Sequence, residues 1–342
     1  GVMRLHRLLT VAAAATTLLT AAACGSDDKP SEPNKPTTVD KVEYLTGFGT
    51  FGREAYVYVA LEKGYFKEAN IEVSIKPGGS TGDNLKVLRS GQADFCPIDF
   101  TGMLVDLSKQ DALDELTAVA AIHQQTLNAI ITLEDRGIRS PKDLEGKTIG
   151  SPAGGIVQQM FPTYASLAGI DASKVKFVQV PPPQQPQALA SGAVDAIGQF
   201  AVGKPSAEAA AGGKKAVVLP YSDYLTDLYG NTLVTTTKLV KENPDLVKRF
   251  RDALRGSLVY AIEHPEEAAQ ILVKHQPGQN EKAAAAELEL MKAYVRSNES
   301  ATVGVMDSER VARAIAILQG AGAIKPGHKP EQFVTFDLVP KA

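Results

Sequence analysis

Two copies of one short pattern organise this chain: Leu88-Arg89-Ser90-Gly91-Gln92-Ala93-Asp94, and about a hundred residues later Leu189-Ala190-Ser191-Gly192-Ala193-Val194-Asp195. In each copy a helical run ends at Ser-Gly, where the glycine supplies a left-handed cap, and the Asp opens a short apolar run typical of a buried strand. The sequence therefore predicts two similar α/β lobes with a ligand cleft between them, where strand ends and helix N-termini meet. Asp94 and Asp195 precede their strands, at the end away from that cleft, and we interpret both as structural.

The composition indicates a globular chain of two domains. Its 342 residues exceed one typical core, and its hydrophobic content of 44% and charged content of 22% are those of a folded protein. The formal net charge of -3 provides no basic field for nucleic acid, so we expect no nucleic-acid partner. The two cysteines, Cys24 and Cys96, are too few for a disulfide framework.

The N-terminal region is typical of an exported lipoprotein. Residues 1–24 combine a short basic region, an apolar region too short for a comfortable membrane span, and small residues before Cys24. The pattern resembles a bacterial lipobox, which implies lipidation of Cys24, and the alternative is cleavage nearby by an ordinary peptidase. Residues 25–40 are polar and predict a flexible tether. We expect an extracytoplasmic body, anchored by the lipid to the outer face of the cell membrane.

The order of the predicted elements makes one lobe discontinuous. Apolar runs between the two copies carry the chain from lobe 1 to lobe 2, and a strand at 230–237 returns it. The pattern from Leu239 onward is helical, and these late helices most simply pack on lobe 1. The predicted boundaries are residues 41–128 plus 238–342 for lobe 1 and 129–237 for lobe 2. Two crossings can then bend as a hinge.

The sequence contains no catalytic or metal-binding motif of known spacing. It has no nucleophile elbow, no phosphate loop and no His-Glu-x-x-His, and its five histidines are scattered without metal-ligand spacing. We therefore predict no catalytic residue, no metal and no cofactor. His123 lies near a predicted crossing, and we interpret it as part of a strand-end hydrogen-bond network, with ligand contact as the alternative.

The loops after the predicted strands are the candidates for ligand contact. They bring glycines and hydroxyl groups to helix N-termini, where free N–H groups and the positive end of the helix dipole favour an anion or a polar ligand edge. Aromatic rings there supply flat faces, and Arg53 supplies a partner for an anionic group. For each loop the alternative is a turn, a cap or a core position. The predicted ligand-binding residues are Phe48, Gly49, Thr50, Phe51, Arg53, Ser80, Thr81, Asp99, Phe100, Thr101, Gly154, Gly155, Gln199 and Phe200.

Three segments carry a family resemblance: Ala60-Leu61-Glu62-Lys63-Gly64-Tyr65-Phe66-Lys67-Glu68-Ala69-Asn70-Ile71-Glu72-Val73, Ser90-Gly91-Gln92-Ala93-Asp94 and Asp143-Leu144-Glu145-Gly146-Lys147-Thr148-Ile149-Gly150. With these, the body from Lys41 onward resembles the substrate-binding proteins of ABC importers, in the class serving nitrate, sulfonates, taurine and thiamine pyrimidine precursors. The resemblance implies a two-lobed type II periplasmic-binding-protein fold that closes on a small molecule. It also implies docking on an ABC permease with a cytoplasmic ATPase, and we expect a monomer.

Aromatic residues at or near the cleft loops decide the predicted ligand: Phe48, Phe51, Tyr56, Phe100 and Phe200. They favour a planar heteroaromatic vitamin or vitamin precursor, pyrimidine- or flavin-like. The alternative ligands are an alkanesulfonate, taurine, or an aromatic carboxylate held by Arg53. A different class of protein, an enzyme on the same fold such as a pyrimidine synthase, would need a catalytic His and clustered cysteines, and this sequence has neither cluster.

Overall fold

The computed structural model describes residues 38–342. The predicted signal segment 1–24, the lipidation of Cys24 and the predicted tether up to residue 37 lie outside the described residues. The first strand begins at Asp40, the residue at which the predicted tether ends. Within residues 38–342, no helix combines the length and the apolar character needed to cross a bilayer.

Ten strands of the described chain form two five-stranded sheets, which confirms the predicted two-lobed α/β architecture. The first sheet has the order β2-β1-β3-β10-β4 and the second has the order β7-β6-β8-β5-β9 when the strands are numbered along the chain. The strands are β1 Asp40–Leu45, β2 Ile71–Lys76, β3 Phe95–Asp99, β4 Leu116–Ala121, β5 Asn128–Leu133, β6 Thr148–Ser151, β7 Lys176–Gln179, β8 Ala196–Phe200, β9 Ala216–Pro220 and β10 Asn231–Thr236.

The two sheets share one topology. In the first sheet β1 pairs in parallel with β2 and β3, while β10 pairs antiparallel with β3 and β4. In the second sheet β6 pairs in parallel with β7 and β8, while β5 pairs antiparallel with β8 and β9. The antiparallel strand at the fourth position of each sheet arrives from the other lobe, because β5 follows β4 and β10 follows β9. The chain thus crosses between the lobes twice, as predicted.

One predicted boundary differs from the sheet pairing. The predicted lobe 2, residues 129–237, includes β10, but β10 pairs with β3 and β4 of the first sheet. An apolar alternating run identifies a strand without saying which sheet it completes, and the backbone hydrogen bonds decide that. By strand pairing, lobe 1 resumes at Asn231 instead of residue 238. The other lobe limits stay a prediction.

The repeated pattern adopts the same geometry in both lobes. Gly91 and Gly192 each have a φ of 78°, the left-handed conformation that glycine adopts without strain at a helix end. Asp94 Oδ2 accepts a hydrogen bond from a backbone N–H of β1 at 2.8 Å, and Asp195 Oδ2 accepts one from β6 at 2.9 Å. Each carboxylate therefore ties the start of its strand to the neighbouring parallel strand, which confirms a structural role for both.

Twelve helices of the described chain accompany the sheets, and the late ones pack on lobe 1 as predicted. The ring of Phe250 stacks on Phe95 with centroids 4.1 Å apart and on Phe66 at 5.3 Å, so the core of lobe 1 joins residues distant in sequence. The helices are α1 Ala55–Glu62, α2 Tyr65–Glu68, α3 Thr81–Arg89, α4 Phe100–Lys109, α5 Ile156–Ala168, α6 Gln185–Ser191, α7 Lys204–Ala210, α8 Thr237–Glu242, α9 Pro244–Glu263, α10 Pro265–His275, α11 Glu281–Val295 and α12 Ser308–Gly320.

The carboxyl ends of the parallel strands position the candidate site. β3 ends at Asp99, β6 at Ser151 and β8 at Phe200, and all three residues line one cleft between the sheets. Helices α3 and α5 begin at the same cleft, with Thr81 and Ile156 at their first turns. Strand ends and helix N-termini of two lobes meeting at one crevice is the usual ligand position in folds of this kind.

Candidate functional site

A cleft lies between the two sheets, lined by residues of both lobes. The loop after β1, the ends of β3, β6 and β8, the first residues of β5 and β10, and the starts of α3 and α5 all contribute to it. Its lining residues are Gly47, Phe48, Thr81, Asp99, Asn128, Ser151, Pro152, Gly155, Ile156, Val157, Gly198, Gln199, Phe200 and Asn231.

Six of the predicted ligand-binding residues line this cleft. They come from both lobes and from sequence positions far apart, as a site between two strand-end surfaces requires. Each of the predicted loops supplies at least one lining residue. The six are Phe48, Thr81, Asp99, Gly155, Gln199 and Phe200.

Phe48 and Phe200 form an aromatic wall that joins the lobes. Their rings are nearly parallel, with centroids 6.4 Å apart and planes inclined by 19°. Phe51 stacks behind Phe48 at 6.1 Å and is itself buried away from the cleft lining. Both rings of the wall belong to the cleft lining, so the wall contributes apolar surface to the cleft.

Arg53 supports this wall from behind and does not line the cleft. Its guanidinium lies 4.5 Å from the centroid of Phe51 and 4.9 Å from that of Phe200, which places a cation over both rings. The side chain is only 2% exposed, donating from Nη1 to Glu287 Oε1 at 2.9 Å and from Nη2 to Gln199 Oε1 at 2.6 Å. The expected partner of Arg53, an anionic ligand, is replaced here by the carboxylate of Glu287, so its charge is already matched inside the protein.

Glu287, from α11, gathers donors from both lobes. Its side chain is completely buried, and besides Arg53 it accepts hydrogen bonds from the Ser206 hydroxyl at 2.7 Å and the Gly52 N–H at 3.2 Å. Burial raises the pKa of Glu287, and the nearby Arg53 offsets part of that rise. The pair forms a buried ion pair beneath the aromatic wall, in which Arg53 Nε has no hydrogen-bond partner.

Gln199 is held rigidly at the edge of the cleft. Its Oε1 accepts from Arg53, and its Nε2 donates to Gln185 Oε1 at 3.1 Å. Gln185 in turn donates to the carbonyl of Gly198 at 2.8 Å. This chain of amides fixes the Gln199 side chain before any ligand arrives.

Asp99 and Asn128 form a buried polar pair that connects the sheets. Asn128 Nδ2 donates to Asp99 Oδ2 at 3.2 Å, and Asp99 Oδ1 accepts the N–H of Gly102 at 2.9 Å as the cap of α4. The two residues are 3% and 2% exposed, respectively. Asn128 Oδ1 is buried without a hydrogen-bond partner. Burial raises the pKa of Asp99 to about 7, against the lowering effect of these bonds.

Ser151 stands on the other side of the cleft, at the end of β6. It is 1% exposed, and its hydroxyl is buried without a hydrogen-bond partner. Helix α5 begins beside it with Gly155 at the N-cap, which has no side chain to accept the first N–H groups of the helix. Ile156 and Val157, whose N–H groups are among these, also line the cleft. This corner therefore presents hydrogen-bond donors.

Two predicted contact residues of the β3–α4 corner lie in the interior instead. Phe100 is fully buried and packs edge-on against Tyr229 with centroids 5.9 Å apart, and Thr101 is buried in the first turn of α4. Tyr56, one of the aromatic residues behind the ligand prediction, is likewise buried on α1. As the first residue of α4, Phe100 lies among core residues, so only Asp99 of this loop lines the cleft.

The remaining predicted residues shape loops next to the lining. Gly49 donates its N–H to the carbonyl of residue 78 at 2.7 Å, and the carbonyl of Thr50 accepts from a side chain of the α10–α11 loop at 2.8 Å. Ser80 caps α3 with its hydroxyl, and the carbonyl of Gly154 accepts the N–H of Gly82 across the lobes at 3.4 Å. Ligand contact by these four residues stays a prediction.

His123 takes part in a strand-end hydrogen-bond network. Its Nδ1 accepts the backbone N–H of Asn231 at 3.4 Å, which supports the interpretation made from the sequence. Burial lowers the pKa of His123 to about 3, with Arg53 contributing in the same direction, so the imidazole is neutral. Within residues 38–342, no three His, Cys, Asp or Glu side chains are grouped closely enough to hold a metal ion.

Sequence reasoning missed the polar residues that open the crossing strands. Asn128 is the first residue of β5 and pairs with Phe200, while Asn231 is the first residue of β10 and pairs with Asp99. The two asparagines thus hold equivalent positions in the two lobes. The Asn at the start of each crossing strand is a pattern in the sequence from which both site residues could have been predicted. The other missed lining residues are Gly47, Ser151, Pro152, Ile156, Val157 and Gly198.

Known proteins similar to this chain include solute-binding proteins and proteins named as a pyrimidine phosphate synthase. Residues 53–268 match the model of the family described as NMT1/THI5 like. The formylaminopyrimidine-binding protein of Halalkalibacterium halodurans is 24% identical over 71% of this chain and 72% of its own length. A riboflavin-binding protein of Chloroflexus aurantiacus is 24% identical over 98% of both chains. Other relatives carry the name 4-amino-5-hydroxymethyl-2-methylpyrimidine phosphate synthase.

Solved structures confirm the periplasmic-binding-protein fold. The alkanesulfonate-binding protein of Xanthomonas axonopodis pv. citri superposes with a TM-score of 0.67, covering 89% of this chain and 99% of that chain. At 14% sequence identity, this likeness speaks for the fold alone.

Proposed function

This chain belongs to the NMT1/THI5-like family, and we propose that it is a receptor that captures a planar heteroaromatic molecule, pyrimidine- or flavin-like, and delivers it to an ABC importer. The relatives with binding-protein names and the periplasmic-binding-protein fold support the receptor role. The class of ligand is proposed from the residues that line the cleft.

The aromatic wall is the observation that carries the proposal. Phe48 and Phe200 present nearly parallel rings, and Ile156 and Val157 add apolar surface to the same cleft. A flat ring of a ligand gains both burial and stacking against such a wall, whereas a small tetrahedral anion gains neither.

The charge of the lining also favours a ligand that is not an anion. Asp99 is the one ionisable side chain among the lining residues found within 38–342, and no Lys or Arg is among them. Arg53, the partner expected for a sulfonate or an aromatic carboxylate, is engaged by Glu287. An anion would therefore enter a cleft with a carboxyl group and no unmatched cation.

Capture by lobe closure is supported by contacts that span the cleft. Arg53 of lobe 1 bonds Gln199 of lobe 2, and Ser206 of lobe 2 bonds Glu287 of lobe 1. Such contacts form only when the strand-end surfaces approach each other, and two chain crossings allow that motion. Delivery to a permease, and a membrane anchor through lipidated Cys24, belong to the proposal on the strength of the family and the N-terminal sequence.

An enzyme on the same fold is the second candidate, because some relatives are named as a pyrimidine phosphate synthase. His123, whose ring packs edge-on against Phe200, is neutral and bonded to a strand backbone, and it does not line the cleft. That arrangement gives no positioned base or nucleophile to the proposed ligand. The receptor role is therefore the stronger of the two.

The decisive experiment is identification of the ligand that the native protein carries. The full chain is purified without denaturation, and any released small molecule is identified by mass spectrometry. Isothermal titration calorimetry then measures binding of riboflavin, 4-amino-5-hydroxymethyl-2-methylpyrimidine, taurine and ethanesulfonate. Tight binding of a heteroaromatic ligand without turnover is expected. Binding of ethanesulfonate alone would overturn the ligand class, and consumption of the ligand would overturn the receptor role.

A further inference from the structure

Hydrogen-bond acceptors lie on one side of the cleft and hydrogen-bond donors lie on the other. On the side of β3 and β5, the Asp99 carboxyl and the Asn128 carbonyl oxygen are acceptors, and Asn128 Oδ1 has no partner. Because the Asn128 amide donates its N–H to Asp99, its oxygen is turned away from that bond and is left to accept. Asn128 Oδ1 is the acceptor without a partner, and each oxygen of the neighbouring Asp99 accepts one hydrogen bond and can accept another, so a ligand group with more than one donor fits this side.

The side of β6 and α5 presents hydrogen-bond donors. The Ser151 hydroxyl is buried without a partner, and the N-cap of α5, Gly155, leaves the first N–H groups of this helix uncapped. Ser151 belongs to the cleft lining together with Ile156 and Val157. The hydroxyl and the N–H groups can all donate to one acceptor atom on the ligand.

We propose that the ligand carries an amino group, which donates to Asp99 and Asn128, and at another position an acceptor group, which accepts from Ser151 and the N-terminus of α5. An amino group has two or more N–H donors and so satisfies both acceptors at once. A ring oxo group at the same place would instead set oxygen against oxygen. The inference rests on the proposed function for the ring, but the amino group is a separate claim.

Two chemical sources can supply such an amino group. One is an amino-substituted heteroaromatic ring, which the aromatic wall favours, and the other is an aminosulfonate such as taurine. Each has a matched partner that lacks the amino group: the 4-oxo counterpart for 4-amino-5-hydroxymethyl-2-methylpyrimidine, and ethanesulfonate for taurine. Comparison within each pair isolates the amino group from the rest of the ligand.

The test is calorimetric titration of the full chain with these four compounds. The amino member of at least one pair is expected to bind about tenfold more tightly, or better, than its partner, because the partner leaves buried acceptors unmatched. If the two members of each pair that binds have equal affinity, the proposal is wrong. Binding of only the taurine pair would refute the heteroaromatic ligand and leave the amino group supported. Absence of binding by all four compounds would overturn the proposal.

The same titrations with Asp99→Asn test whether Asp99 accepts a hydrogen bond from the amino group of the ligand. The new amide can still cap α4, since Asn is a good N-cap, but it replaces one acceptor of the pair by a donor. The preference for the amino member is expected to disappear or reverse in D99N. Asp106→Asn is the matched control: Asp106 lies on α4, the helix that Asp99 caps, is also buried and does not line the cleft. Retention of the wild-type preference in D99N would refute the assignment.

Ser151→Ala tests the other end of the ligand. Loss of the hydroxyl is expected to weaken binding of both members of a pair by a similar factor, because it leaves the amino group untouched. Ser257→Ala is its control, since Ser257 is buried on α9 and bonds a carbonyl of its own helix. Unfolding temperatures of all variants confirm that each is folded. Unchanged affinity in S151A would refute the acceptor half of the proposal.

Discussion

The guanidinium of Arg53 donates to the side-chain oxygen of Gln199 at 2.6 Å and thereby joins the two lobes beneath the aromatic wall. Glu287 completes the contact from α11 and binds the Ser206 hydroxyl of lobe 2 at 2.7 Å. The ion pair of Arg53 and Glu287 lies within lobe 1, and the neutral side chains of Gln199 and Ser206 bond to it from lobe 2. The residue that sequence reasoning placed against the ligand is thus a support for the closed arrangement.

Removal of the charge of Arg53 is expected to destabilise the protein strongly. Arg53→Met leaves the carboxylate of Glu287 buried without its counter-ion, which typically costs about 3–5 kcal/mol of the free energy of unfolding. The loss is measured by urea unfolding and should be smaller at pH 5 than at pH 8, because protonation neutralises Glu287. The double variant R53M/E287M removes both charges and should recover much of the loss. Equal stability of the single and double variants would contradict this account.

Asp99 makes the stability of the ligand-free protein depend on pH. Burial raises its pKa from 3.8 to about 7, and no charged side chain is among the causes of the shift. A carboxyl group with a raised pKa in the folded state stabilises the fold at low pH, and this contribution is lost as the pH rises. Relative to D99N, the wild type should therefore lose stability between about pH 4 and pH 7 and change little above pH 8.

Urea unfolding of both proteins across this range measures the difference directly. The comparison cancels the contributions of other groups, including Glu54, whose pKa burial also raises to about 7. A wild type that gains stability over D99N as the pH rises would contradict the shift of Asp99. The same measurement repeated with Glu54→Gln should show a separate dependence in the same direction.

The two-lobed architecture could be predicted from the sequence because the same local pattern occurs once in each lobe. Gly91 and Gly192 mark equivalent helix ends, and an Asp three residues after each opens a buried strand, so the local pattern fixes both units. Which sheet accepts β10 was not readable, because strand pairing depends on backbone hydrogen bonds between segments over a hundred residues apart. A local sequence pattern does not indicate with which distant strand β10 pairs.

Site residues at the ends of strands could be predicted from the sequence, whereas residues whose position depends on packing could not. Asp99 and Phe200 end their strands and line the cleft as expected. Phe100 follows Asp99 directly, but as the first residue of a helix it lies in the core. Arg53 lies outside the cleft lining because it pairs with Glu287 on α11, and the sequence contains no local signal for that contact. Side-chain direction and distant partners decide these positions.

Gly52 is expected to tolerate no side chain. A Cβ there would lie 2.4 Å from the Cα of Ala284, a contact with backbone that rotation of a side chain cannot relieve. Gly52→Ala should lower the free energy of unfolding by about 1–3 kcal/mol through overpacking. Gly256→Ala is the control, since no atom lies within 4 Å of its added Cβ on α9 and the change should stabilise the helix. Equal effects of the two substitutions in urea unfolding would show that packing at Gly52 is not limiting.

Phe48 provides the sharpest test of the aromatic wall. Phe48→Leu keeps an apolar side chain but removes the flat ring that faces Phe200 across the lobes. Binding of riboflavin or of the aminopyrimidine should weaken by about 0.5–1.5 kcal/mol, roughly two- to tenfold in the dissociation constant, because stacking is lost while most burial remains. Phe177→Leu, in a ring cluster of lobe 2 away from the cleft lining, should leave affinity unchanged. If calorimetry gives the two variants the same affinity, the Phe48 ring does not stack on the ligand, and the case for a planar ligand loses its main support.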